Sequence, residues 1–148
     1  MSGIKIRKLK KSDYNGWLYL YKTYADFYKT SLTDIGVKKT WNWLQDPSHP
    51  CTGIIAEQQN KLIAFAHFRA MPSPLRGENI GFLDDLYVLP DNRGGKVVEL
   101  LFKELRKYSK DSNWKIIRWI TRDDNYRAKG VYDRISSKTN WDLYEMKI

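Results

Sequence analysis

Apolar residues recur along this chain with two different spacings, and the switches between them outline a fold. Residues 3–9, GIKIRKL, alternate apolar and polar positions as a short strand does. Ser12 or Asp13 is placed to cap a helix in which Trp17, Leu20, Tyr21, Tyr24, Phe27 and Tyr28 fall on one face. Thr33 or Asp34 opens a second helix through Trp41 and Leu44, ended before Pro47. TGIIAEQ and KLIAFAHFRAM form a strand pair around a Gln59–Asn60 turn, and ENIGFLDDLYVL is the next strand. From Gly95 to Ser109 the spacing returns to helical, with Val97, Val98, Leu101, Leu105 and Tyr108 inward and Lys96, Glu99, Lys103 and Lys107 outward. KIIRWITR is a further strand, Asp124 or Asn125 caps a helix to about Ser136, and WDLYEMKI closes the chain as a strand.

The order is therefore β-α-α-β-β-β-α-β-α-β. It predicts a mixed α/β (α+β) architecture: one mostly antiparallel twisted sheet with a parallel β-α-β crossover in its middle. The crossover joins the strand around Gly81–Leu89 to that around Lys115–Arg122. Ligands of open α/β sheets sit at the carboxyl ends of strands where neighbours diverge, which here is the NRGGK loop at 92–96. Strand, glycine turn and helix together present backbone N–H groups to an anion.

A length of 148 residues fits one domain, residues 1–148. No apolar run approaches the ~18–20 residues of a membrane span, and the basic N-terminus has no apolar core of a secretion signal. A lone Cys51 forms no internal disulfide, which agrees with a reducing, cytoplasmic setting. Two histidines and one cysteine, far apart, give no metal-ligand pattern, so no metal is expected. Charge changes the picture more. Of the net charge of +9, seven lie between Arg93 and Lys138, where thirteen Lys/Arg face six Asp/Glu. That density is either a solvated face or a field around a phosphate-bearing ligand or nucleic acid.

On the residues GFLDDLYVLPDNRGG and WITRDDNYRAKGVYDRI, with Asn125, Ala128 and Tyr132 in an Asn-x-x-Ala-x-x-x-Tyr pattern, the chain resembles the GNAT superfamily of N-acetyltransferases over nearly its whole length. The first helix, LYLYKTYADFY, is most similar to the small yeast-type histone and polyamine acetyltransferases. The resemblance implies a GNAT fold and acetyl-CoA-dependent acetylation of a primary amine by direct attack in a ternary complex. The acceptor would be a small molecule, a polyamine, or a peptidyl lysine or N-terminus. It also implies that a β-bulge splays the strand before the loop, with Leu86, Tyr87 and Val88 holding the pantetheine arm through their backbone. Arg93, Gly94, Gly95, Lys96, Val97 and Val98 would cradle the diphosphate, and Asn125 would contact the cofactor arm. The family pattern places small residues where this chain has Lys96 and Val98. Side chains there are expected to push the diphosphate outward or tilt the helix start, with Lys96 offsetting part of this as a point charge.

Acetyl transfer needs a proton donor for sulfur and an acceptor for the amine proton. Tyr132 is the catalytic acid candidate, since a phenol of pKa ~10 keeps its proton at neutral pH. Asp85 is the base candidate, since the segment LDDLYV keeps an acid immediately before Leu; Glu78 and His67 are the alternatives. Strict strand alternation groups Asp85 with Leu83 and Tyr87, and Asp84 with Phe82, Leu86 and Val88. Tyr24, Phe27 and Tyr28 form an aromatic wall suited to a cationic amine. Arg127, Lys129 and Arg134 either attract the cofactor phosphates or form a solvated face.

Two other readings compete. One is a catalytically impaired GNAT-like protein that binds CoA weakly or acts through partners, motivated by Lys96 and Val98. The other is a basic nucleic-acid-binding module, against which stands the placement of Trp17, Trp41 and Trp43 within helices. The terminal strand, with room for only one, would leave an open edge, so a homodimer in which C-terminal strands meet is expected.

Overall fold

A computed structural model describes residues 3–148; Met1 and Ser2 of the basic N-terminal stretch lie outside the described residues. The element order is β1 (Ile4–Lys8), α1 (Tyr14–Phe27), α2 (Asp34–Gln45), β2 (Cys51–Gln58), β3 (Lys61–Ser73), β4 (Glu78–Val88), α3 (Val97–Asp111), β5 (Ile117–Trp119) and α4 (Tyr126–Ile135). The five strands form one sheet in sequence order. β1 through β4 pair antiparallel, and β5 pairs parallel to β4 by way of α3.

Local chemistry sets most boundaries. Gln59 and Asn60 both take positive φ in the tight turn between β2 and β3. Thr33 caps α2, its hydroxyl accepting from the Gly36 N–H at 3.0 Å. Asp13 precedes α1, but its side chain does not cap it. Its carboxylate is taken by Arg7 at 2.7 and 2.9 Å and by the Lys10 N–H, because a bidentate guanidinium outbids a single amide. That pair fastens β1 to the start of α1.

The sheet separates two apolar clusters. On one face α1 places Leu20 against Ile55, Phe65, Tyr87 and Leu89. On the other, α3 buries Val97, Leu101, Phe102 and Leu105 against Ile54, Ala66, Phe68 and Leu83, with Tyr132 and Ile135 of α4 at its margin.

Two expectations are corrected. The parallel crossover lies at the edge of the sheet, not in its middle, because the last strand is missing. Residues 137–148 carry no strand: a strand exists only as part of a ladder, and WDLYEMKI pairs with nothing within the described chain, leaving Trp141, Leu143, Tyr144 and Met146 exposed. The second correction concerns alternation in β4. His67 faces Asp85 and Phe68 faces Leu83, so Asp84 is an extra residue, a β-bulge. The bulge flips the parity. Leu83 packs toward α3, whereas Asp85 and Tyr87 turn toward α1.

Candidate active site

The bulge also decides where the sheet opens. β4 pairs with β5 only through Gly81, Phe82 and Leu83; among the described residues, 84–88 have no β5 partner. Gly81 is needed where that pairing begins, since a Cβ there would stand 2.6 Å from Trp114 Cε3, and Leu83 opposite Trp119 is its last pair. Beyond it the two strands part and leave a cleft of about 480 Å³.

One wall of the cleft is Leu86, Tyr87 and Val88 of β4, with Phe27 and Tyr28 from the end of α1. Its end is the loop 93–98. Gly94 takes φ +82°, a conformation glycine adopts without cost, and the N-terminal turn of α3 has no side-chain cap. The uncapped amides and the positive end of the helix dipole therefore face the cleft, as an anion site requires. Gly94, Gly95, Val97 and Val98 line it, but Lys96 does not: its side chain is exposed. Val97 is buried in the core and Val98 packs against its edge, so both contribute backbone at this point.

Arg93 lines the cleft while its guanidinium is partly committed. Nε donates to the Val88 carbonyl at 2.9 Å, and the group lies over the rings of Phe27 (5.1 Å) and Tyr87 (5.4 Å). It thereby ties α1, β4 and the loop together. The cation nearest the glycines comes from α4: Arg127 Nη2 lies 3.6 Å from the point a Cβ on Gly94 would occupy. Arg127 and Arg134 both line the cleft, and sequence reasoning could not separate them from a solvated face.

The opposite wall is α4. Asn125 caps it, Oδ1 accepting from the Ala128 N–H at 3.4 Å, and its side-chain amide also donates toward the Tyr28 phenol oxygen across the cleft. Tyr132 packs edge-on against Trp119 (5.4 Å) and Phe102 (6.2 Å). Burial, reinforced by Tyr28, pushes its phenol up to about 12. The proton is thus firmly held at neutral pH.

Asp85 does not line the cleft. It stands beside Tyr24, whose ring meets Tyr28 and Tyr87 edge-on, two residues that do. The Tyr24 hydroxyl donates to Asp85 Oδ1 at 2.7 Å, and His67 Nδ1 lies 2.8 Å from Oδ2. A quarter of the carboxylate side chain remains exposed. Burial works against its charge, but the His67 hydrogen bond, the attraction of a charged His67 ring and the Tyr24 hydroxyl together hold the carboxyl below its ordinary range. Asp84 is elsewhere, paired with Arg69 at 2.9 Å, and Glu78 is at the far end of β4 beside Lys115. Phe27, Tyr28, Asn125 and Tyr132 thus line one opening, while Tyr24 and Asp85 stand behind its aromatic wall. Trp17, which hydrogen-bonds His67, had no signal in the sequence beyond its place in the helix stripe.

Known proteins give an independent view. Residues 17–136 match the Acetyltransferase (GNAT) family. The D-amino-acid N-acetyltransferase HPA3 of Saccharomyces cerevisiae is 25% identical over 148 residues, covering 96% of this chain and 89% of that protein. Among solved structures, AAC(6')-Iy in complex with the bisubstrate analog CoA-S-monomethyl-acetylneamine superposes with a TM-score of 0.82 at 18% identity, covering 98% of each chain. A ribosomal-protein-alanine N-acetyltransferase from Brucella melitensis biovar Abortus 2308 superposes with a TM-score of 0.81 at 21% identity, covering 98% of this chain and 99% of that one.

Proposed function

Since the chain belongs to the GNAT acetyltransferase family and is an acetyl-CoA-dependent N-acetyltransferase of amines, we propose that the cleft between β4 and α4 is where it works, with the whole chain acting as one catalytic domain. The observation that carries this is the coincidence of three features in one opening: an unpaired strand edge at 84–88, an uncapped helix start behind Gly94, and the Tyr132 phenol opposite.

Acetyl-CoA lies along β4, its pantetheine arm bonded to the backbone of Leu86, Tyr87 and Val88 and its diphosphate on the amides of residues 94–98. Arg127 supplies the charge that Lys96, turned outward, does not. The acceptor enters along the aromatic wall of Tyr24, Phe27 and Tyr28. An amine of ordinary pKa ~10.4 costs about 4.6 kcal/mol to deprotonate at pH 7. Handing that proton outright to a carboxylate of pKa ~3.9 would cost about 9 kcal/mol. The reactive amine therefore sheds its proton to water and is neutral when it attacks. The C–N bond forms, the nitrogen becomes acidic, and Asp85 takes that second proton as the C–S bond breaks. Moving the Tyr132 proton fully from a phenol near 12 to a thiolate near 8.5 would cost about 5 kcal/mol. Tyr132 therefore stabilises the departing sulfur by a strong hydrogen bond, and solvent completes the protonation.

We read the protein as a cytoplasmic homodimer. The outer edge of β5 is unpaired, and beside it runs a groove of about 690 Å³ floored by Phe102, Trp114 and Trp119 and rimmed by Lys103, Arg106 and Lys107. The exposed tail offers Trp141, Leu143 and Met146 together with Asp142 and Glu145, which complement that floor and rim. The tail of a second copy is the occupant we assign to it.

The reaction is tested by incubating the protein with acetyl-CoA and, separately, polyamines, lysine peptides, aminoglycosides and free amino acids, and following thiol release. One class acetylated well above the rest supports the reading. Coenzyme binding with no acetylation of any amine would favour an inactive relative, and salt-sensitive oligonucleotide binding without coenzyme binding would favour a nucleic-acid module.

A further inference from the structure

His67 is the most buried titratable side chain near the site, 1% exposed, with its ring 4.5 Å from Phe65 and 5.4 Å from Tyr21. Both its nitrogens are engaged, and the partners fix which one carries hydrogen. Trp17 Nε1 lies 3.0 Å from His67 Nε2. An indole nitrogen can only donate, so Nε2 must present its lone pair. The hydrogen then sits on Nδ1, which donates to Asp85 Oδ2 at 2.8 Å. A second proton, on Nε2, would set two N–H groups against each other in a buried site. The other histidine shows the opposite arrangement. His49 Nδ1 accepts from the Cys51 N–H at 3.0 Å, so its hydrogen sits on Nε2.

A histidine buried beside a carboxylate ordinarily gains a proton from the pairing and cancels the acid's charge. The groups that face this one are Asp85 on β4, Trp17 and Tyr21 on α1, and, across Gly53, Cys51 on β2, whose thiol is pushed up to about 11 by burial with help from Asp84 and Asp85 and against the pull of Arg69. Tyr28 at the end of α1 also feels the Asp85 charge. The Trp17 indole N–H facing Nε2 is the contact that selects the Nδ1–H tautomer.

We propose that Trp17 and His67 are positioning residues for acetyl transfer: the indole locks His67 as an Nδ1–H donor, which with Tyr24 fixes both oxygens of Asp85 behind the acceptor wall. This rests on the role of Asp85 given above. The chain of contacts runs from the core of α1 through β3 to β4, so the acid at the bulge inherits its orientation from a buried, rigid pair.

Two measurements test it together. Nitrogen NMR of the free protein near neutral pH reads each ring directly: His67 should show hydrogen on Nδ1 and a bare Nε2, and His49 the reverse. His67→Leu keeps apolar volume but removes the donor, whereas His67→Asn keeps an N–H₂ in reach of Asp85. His67→Leu should lower kcat/KM for the amine by about ten- to a hundredfold, the range for a hydrogen bond to a charged group, with acetyl-CoA affinity unchanged. His67→Asn should recover most of that loss even if both variants melt at a similarly lowered temperature. Hydrogen on His67 Nε2, or equal losses in the two variants, would overturn the proposal. Asp85→Asn, measured alongside, separates the two ideas: full acetylation in that variant would overturn the role of Asp85 and this proposal with it. A crippled Asp85→Asn beside an active His67→Leu would overturn this proposal alone.

Discussion

Arg127 on α4 reaches across the cleft to the glycine turn on the other side, its Nη2 3.6 Å from where a Cβ of Gly94 would stand. We infer from that contact that Arg127 offsets Lys96 and Val98 in the proposed diphosphate site. The loop keeps its bare backbone one step earlier, at Gly94, and the compensating cation arrives from another helix.

Arg127→Ala should therefore weaken acetyl-CoA binding by about tenfold, the value of one charge-assisted hydrogen bond, and flatten the salt dependence of that binding. Lys96→Ala should change little by comparison. Isothermal titration at two salt concentrations checks both, and an equal loss in the two variants would return the role to Lys96.

Gly94→Val tests the backbone itself. A β-branched residue at φ +82° costs about 1–2 kcal/mol or more, and it brings side-chain bulk toward Arg127. Coenzyme affinity should fall by over tenfold, with a fall of a few degrees in Tm by calorimetry.

Tyr132→Phe should lower turnover well over tenfold and leave coenzyme affinity near normal, because the hydroxyl makes no hydrogen bond among the described residues. Burial holds the phenol at about 12, so the wild-type rate should show no descending limb from this group up to about pH 10. The profile should instead climb with pH as more of the amine becomes neutral. Unchanged turnover in the phenylalanine variant would remove Tyr132 from the reaction.

Acid stability should report the Arg7–Asp13 clamp. The Arg7 hydrogen bonds hold the Asp13 carboxyl below its ordinary value in the folded protein, against burial. The unfolded chain then binds a proton at higher pH than the folded one, so the clamp's contribution is present above about pH 4 and is lost as pH falls through the folded value. Asp13→Asn should be less stable at neutral pH and lose less on acidification, measured by urea midpoints across that range.

Much of this arrangement was legible in the chain. The helical stripe from Trp17 to Tyr28 and the Gln59–Asn60 turn appear where periodicity and turn chemistry put them. Of the residues named around the glycine loop and along α4, Arg93, Gly94, Gly95, Val97, Val98, Asn125 and Tyr132 line one cleft, and Lys96 does not. What was not legible depends on pairing. A bulge at Asp84 has no composition of its own, yet it reverses which residues share a face with Asp85. Whether the terminal segment is a strand depends on a partner edge, and β5 proved to be three residues long. The Trp17–His67 bond joins residues 50 apart, and no local pattern announces such a contact.

The tail makes a prediction about assembly. Light scattering at micromolar concentration should give a dimer mass, and removing residues 140–148 should give a monomer. A monomeric full-length chain would contradict the assignment of the basic groove beside β5 to a second tail.

The central claim, that amides at the start of α3 bind the coenzyme diphosphate behind Gly94, is tested most directly by a crystal structure with CoA. The account predicts the diphosphate against the backbone of residues 94–98 and within reach of Arg127. Diphosphate density anywhere else on the protein would contradict it.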